Sequence, residues 1–230
     1  VLTQMGQYLT RKITMANAST TGFGFRAVMT VGNTPATSGQ SEYQVQTAPG
    51  VGLYKGDPAS IQDASGAQGY AQDASFLLTD DGGAGGTSWA NNADALLIGV
   101  LNGFFYIDST GKPTFANSVP AGTTTSVDYN TGSNDITAFV IDNPNQEYVV
   151  KADEAVTQAM LGAVNQMNNT SWTASGNKDG QSITTLDVST AATTGMFTLV
   201  RSANDPENND LTVPGANVIV TIGKSSALYN

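Results

Sequence analysis

Where this chain keeps a regular apolar period, the period is mostly two, and it is kept only for short stretches. Residues 22–47, GFGFRAVMTVGNTPATSGQSEYQVQT, alternate apolar and polar positions, turn on Gly-Asn-Thr-Pro, and alternate again through Tyr43 and Val45. A period of two sends successive side chains to opposite faces of a strand, and Gly, Asn and Pro between such runs mark turns. The same grammar continues. GVGLYKGDPASI turns at Gly56-Asp57-Pro58, and ALLIGVLNGFFYIDSTGKPTF reads as a hairpin pair, Leu96–Leu101 and Phe104–Asp108, with a turn at Ser109–Lys112. DITAFVID and QEYVVKA read as a second pair around Asn143-Pro144-Asn145, and GMFTLVRSA with ANVIVTIG as the last strands.

A helix is indicated in ADEAVTQAMLGAVNQM, where Val156, Met160 and Val164 recur every four residues and Asp153 stands at the start. Gly162 weakens it, and STAATTG at 189–195 fits one further helical turn. Residues 63–94 are a small-residue loop with a short strand around Phe76–Leu78. The expected fold is mainly β: a small barrel or sandwich, jelly-roll-like or β-tulip-like, with one or two short helices. Residues 1–21, with little apolar pattern, read as an extended N-terminal arm. Residues 22–230 read as the β-rich domain, with a division into two subdomains near 62–94 left open. A polar arm of this kind orders only when something holds it, most simply another subunit, because ordering costs about 1–2 kcal/mol per residue.

Composition removes whole classes of chemistry. The chain has no cysteine, so disulfides, thiolate catalysis and cysteine metal sites are excluded. It has no histidine, the usual general base near neutral pH and the commonest transition-metal ligand. Nineteen acidic residues against nine basic ones give a net charge of −10, which argues against nucleic-acid binding. No apolar run approaches the length of a membrane span, and VLTQMGQYLTRKIT lacks the apolar centre of a signal peptide, so neither export nor a membrane anchor is expected. Met15 followed by ANAST also reads as a translation start, leaving Val1 and Ala16 as alternative beginnings.

The remaining candidates are weak. Asp80-Asp81-Gly82-Gly83 and DPENND at 205–210 offer oxygen ligands without the alternation of an EF-hand loop, and solvated turns account for them better. Ser109-Thr110-Gly111-Lys112 has the spacing of a serine–lysine pair and a partial phosphate loop, but it sits in a turn with no following helix. Asn169-Thr170-Ser171 is a formal glycosylation sequon. Trp89, Trp172 and Phe104-Phe105-Tyr106 suit a sugar-binding face, or, as aromatics beside strands do more often, a core or subunit interface. A hydrolase working through carboxylates alone is a distant alternative.

The segments TGFGFRAV, YKGDP, IGVLNGFFYID, AFVIDNP with EYVVKAD, TTGMFTLV, and DPENNDLT with NVIVTIG occur in this order between residues 16 and 223. Together they resemble a family of tailed-phage virion proteins, of the marine and cyanophage type, described as head-decoration or cement proteins. Residues 1–14 and 82–93 depart from that pattern. The resemblance implies a non-catalytic protein without cofactors, made in the host cytoplasm and bound to the outer surface of the virion. Its partner would be the major capsid protein lattice, and its assembly a homotrimer. Independently of the resemblance, the arm and the first strand are the expected capsid or subunit contact, with Tyr8, Arg11, Lys12, Phe23 and Phe25 as the contact residues. Another virion component (shell, head fibre or tail) and a carbohydrate-binding adhesin module are the alternatives.

Overall fold

The computed structural model describes residues 16–32, 34–35, 39–61, 69–74, 97–162, 164–167, 179–192 and 197–222. In chain order its strands are β1 (Arg26–Thr30), β2 (Thr34–Pro35), β3 (Ser41–Val45), β4 (Leu53–Tyr54), β5 (Pro58–Ile61), β6 (Ala71–Asp73) and β7 (Leu97–Ile107). They continue with β8 (Pro113–Ala116), β9 (Ser118–Val119), β10 (Ile136–Ile141), β11 (Gln146–Lys151), β12 (Val164–Met167), β13 (Leu186–Ala192), β14 (Phe197–Ser202) and β15 (Asn217–Ile222). The protein is mainly β, in several antiparallel sheets, as its sequence implied.

Seven strands form one sheet in the order β13-β12-β14-β15-β11-β1-β2. A second sheet runs β3-β10-β7-β5-β6, with β8 beside β7, and β4 pairs β9 in a small third one. Two apolar clusters join these layers. In the first, Tyr148, Val150, Leu199, Val218 and Val220 of the seven-stranded sheet meet Leu97, Val100 and Ile141 of the second sheet. Phe25 belongs to it, stacked on Phe197 with ring centroids 4.3 Å apart. In the other cluster, Ile98, Leu101, Phe104, Ile136, Ala138 and Val140 meet Leu53 of β4 and Val119 of β9. The second sheet is therefore a middle layer, apolar on both faces where it is covered.

This explains β7. Residues 97–107 form one continuous strand of 11 residues, not the hairpin read from the sequence. The glycine and asparagine that suggested a turn lie at irregularities instead. The register slips where Phe139 faces Gly103 and Val140 faces Leu101, and again between Ala59–Gly99 and Ser60–Leu97. Bulges of this kind bend a strand without ending it. At Gly99 the reason for glycine is space: a Cβ there would lie 2.1 Å from the Ile141 carbonyl oxygen.

Two further readings are corrected. β10 and β11, expected to pair across Asn143-Pro144-Asn145, belong to different sheets, with β10 between β3 and β7 and β11 between β15 and β1. The connection carries the chain from one layer to the next. It is pinned by Tyr148, fully buried, whose hydroxyl donates to the Ile141 carbonyl at 2.9 Å. The helix expected from Asp153 is reduced to one 3-10 turn, Gln158–Met160, followed by strand β12. Residues 189–192 of the second expected helical turn are likewise strand, the end of β13. The short strand expected at Phe76–Leu78 lies outside the described residues.

Residues 16–23 are ordered by their own chain. Asn17 Nδ2 donates to the carbonyls of Asp210 (3.0 Å) and Pro214 (2.9 Å), and its Oδ1 accepts from the Asp210 amide at 3.1 Å. Ala18 N–H donates to the Glu207 carbonyl. For this part of the arm the loop before β15 supplies the hold that was expected from another subunit. Gly24, at φ +72°, lets the chain enter β1 pressed against Ser182 and the Gly56 carbonyl, where a Cβ would lie 2.7 and 2.8 Å from them.

Two consequences can be measured by urea unfolding. Gly99→Ala should lose about 3 kcal/mol or more, because the clash is with backbone, whereas Gly39→Ala, with nothing within 4 Å of the added methyl, should stay within about 0.5 kcal/mol of wild type. Burial raises the Tyr148 phenol well above the ordinary tyrosine range. Its contribution is therefore constant below pH about 10 and is lost as pH rises further, since only the unfolded chain ionises there. Wild type should thus lose stability above pH about 10 more steeply than Tyr148→Phe, by up to about 1.4 kcal/mol per pH unit.

Candidate interaction surface

The layers do not cover β7 to its end. Its first half is enclosed between the two cores, but toward Ile107 no core residue among the described residues covers the face turned away from the second core. Register brings three residues into one row there: Thr137 of β10, Phe105 of β7 and Phe115 of β8. The Phe105 and Phe115 rings lie 4.8 Å apart at a tilt of 45°, and Phe115 is 77% exposed. Phe139 and Phe115 line a shallow groove on this face, closed at one side by Asn102, whose amide donates to Gln40 Oε1 at 2.7 Å. A tilted aromatic pair on an open sheet surface is a large apolar area held rigidly, at little further cost in side-chain freedom on binding.

Asn102 is shared with a second, deeper cleft of about 280 Å³ between the sheets. Phe23, Phe25 and Ile141 form its apolar wall, and Arg26 and Lys55 stand on its rim. The Arg26 guanidinium donates to Gln181 Oε1 at 3.0 Å and lies 4.7 Å from the centre of the Phe23 ring. A chain with only nine basic residues thus places two of them on this cleft, which meets the aromatic groove at Asn102. The combination of an apolar strip with a cationic border suits an acidic, partly apolar protein surface better than a small polar metabolite.

The predicted contact residues divide. Tyr8, Arg11 and Lys12 lie outside the described residues. Phe23 is partly exposed and lines the cleft between the Arg26 guanidinium and the Lys151 ammonium, which sits 5.7 Å from its ring. Phe25, just before β1 and 1% exposed against Phe197, belongs to the core between the two sheets; its side chain is not available to a partner. Of the aromatics considered for a sugar face, Phe104 is core, Phe105 belongs to the open row, and Trp89 and Trp172 lie outside the described residues. Phe115, Phe139, Arg26 and Lys55 were not singled out in the sequence. The alternation in KPTFAN puts Phe115 on a strand, but nothing local says that the face it joins stays uncovered.

The other motifs resolve into turns. Asp108, which precedes Ser109–Lys112, accepts from the Thr110 amide (2.8 Å), the Thr110 hydroxyl (2.6 Å) and the Lys112 amide (3.0 Å). These bonds, the Thr110 hydroxyl first, hold its pKa below the usual carboxylate range. In DPENND, Asp205 accepts from the Glu207 amide at 2.9 Å and from Asn217 Nδ2 at 2.7 Å, and Asp210 caps Thr212. These carboxylates close turns. Beside the Asp108 turn a broad groove of about 640 Å³ carries Tyr129, 98% exposed, with Asp128, Asn130 and Asn134 around it.

Phe115→Ala should leave unfolding within about 0.5 kcal/mol of wild type, since the ring is exposed, whereas Phe104→Ala, the buried neighbour on β7, should cost about 3–5 kcal/mol. Paired urea titrations of the two variants check this.

No protein family, no curated protein and no solved structure matches the chain.

Proposed function

We propose that this chain is a phage head-decoration protein, a non-catalytic binder of the assembled capsid shell that stabilises it against internal pressure. The observation that carries the reading is the open aromatic row on β7 and β8, with Phe115 77% exposed and a cationic cleft beside it. Among the described aromatics Phe115 and Tyr129 are the strongly exposed rings, and Phe115 is the one packed against a neighbouring ring in a row, which makes that strip a contact surface. The ordered resemblance of residues 16–223 to virion decoration proteins supports the same reading. A protein that binds only the intact lattice stabilises it by mass action and needs interface area but no base, metal or thiol. Assembly as a homotrimer on local threefold positions follows from the same resemblance, while residues 1–21 are offered as a second attachment on their own polar, basic composition.

Cosedimentation of the purified chain with undecorated phage heads tests this. Binding should saturate on expanded heads, and Phe115→Asp should weaken it at least tenfold while leaving the fold intact by circular dichroism. No binding by wild type would discard the proposal.

A second reading rests on the Tyr129 groove. A fully exposed ring bordered by Asp128, Asn130 and Asn134 has the chemistry of a sugar platform. It requires glycan affinity in the isolated protein, abolished by Tyr129→Ala, and a glycan array with no signal would remove it.

A further inference from the structure

Lys151, on β11, is only 2% exposed, and among the described residues no carboxylate stands within ion-pair distance of it. Its Nζ faces neutral oxygens instead: the Ser19 carbonyl at 2.8 Å, the Gly215 carbonyl at 3.1 Å and the side-chain oxygen of Asn208 at 3.4 Å. The Phe23 ring lies 5.7 Å away. A buried lysine beside an amide carbonyl is a nucleophile beside an electrophile, and here the electrophile is fixed in place. The Asn208 main-chain amide donates to Asp205 Oδ1 at 3.3 Å, its carbonyl accepts from the Asn217 amide at 2.8 Å, and its side-chain Oδ1 also accepts from the Ser19 amide at 3.2 Å.

We propose that Lys151 and Asn208 join in an intramolecular isopeptide bond formed by the protein itself. The Lys151 Nζ attacks Asn208 Cγ, a new C–N bond forms, and the bond from Cγ to Nδ2 breaks. Two protons of the lysine ammonium end on the departing nitrogen, which leaves as ammonium, so that atoms and charge balance without an oxidant or cofactor. The Ser19 amide on Oδ1 is placed to support the negative charge that gathers there during attack. Asp205 accepts from the Asn208 main-chain amide and from Asn217 Nδ2, so it holds the Asn208 segment in position and is bonded to neither reacting nitrogen. Burial lowers the Lys151 pKa, which favours the neutral amine needed for attack, although Asp205 opposes the shift. The bond would close a loop between residues 57 apart in the sequence, strapping β11 to the segment that precedes β15.

The test is the intact mass of the purified full chain, followed by tryptic mapping. The expected mass is lower than that of the sequence by one ammonia. The expected map has no cleavage after Lys151 and a branched peptide joining it to Asn208. Lys151→Arg, which keeps the cation and donors but not the nucleophile, should restore the full mass. A full mass in wild type, with cleavage after Lys151, overturns the proposal. So does an ammonia loss confined to Asn208 as a cyclic imide, or a branch to Asn217, which faces Lys151 across the β11–β15 pair.

Discussion

The structure depends on one sheet being asked to pack on both faces. β7 lies at its centre, with β10 on one side and β5 then β8 on the other. Leu97 and Val100 serve one core while Ile98, Leu101 and Phe104 serve the other, so each residue near the strand's start is committed to a layer. A strand buried on both faces cannot alternate apolar with polar residues, and interiors packed as densely as crystals tolerate little change of volume. The bulges at Gly99 and Gly103 let the same strand satisfy neighbours of different length and curvature. Because the layers end before β7 does, the same strand that organises the core also presents the open aromatic row. Core and contact surface are successive halves of one element.

A second constraint acts on the outer face of the seven-stranded sheet. Its strand β11 carries Glu147 and Lys151 on the face away from the main core, and both are buried. Glu147 is answered by a two-pronged contact with Arg201, at 2.6 and 2.9 Å, across the sheet from β14. Lys151 is answered by oxygens of the entering segment and of the loop before β15. Buried charge demands partners, and these partners fix where residues 16–23 and 205–215 lie. The entry of the chain is therefore bound to its last strand before any other subunit is involved.

Local pattern carried much of this. The strands around Arg26–Thr30, Ser41–Val45, Phe197–Ser202 and Asn217–Ile222 stand where alternation put them. Asp108 and Asp205 behave as turn residues, which their short acceptor side chains equip them to be. The failures have physical causes. Asn102-Gly103 looks like a turn because both residues favour turns, yet a bulge uses the same freedom. Val156, Met160 and Val164 recur at a helical spacing, but Val156 is held by the first core and its amide donates to the Leu211 carbonyl, so the segment is tied to its neighbours and not to itself. Asn143-Pro144-Asn145 turns the chain as expected; whether a turn folds a strand back beside its predecessor or passes it to another sheet is decided by where Ile141 and Tyr148 find their cores.

By itself, then, the sequence determined the β class, the place of most strands and turns, and the absence of thiol and imidazole chemistry, because these follow from side-chain period, turn preference and residue type. The tertiary structure decided which strands share a sheet, which face of β7 stays open, and which lysine is enclosed beside which asparagine. Those are relations between residues far apart in the chain, such as Lys151 with Asn208 or Phe105 with Phe115 and Thr137. Local sequence sets the preference of each segment; only the closing of the layers over one another decides which surfaces are covered.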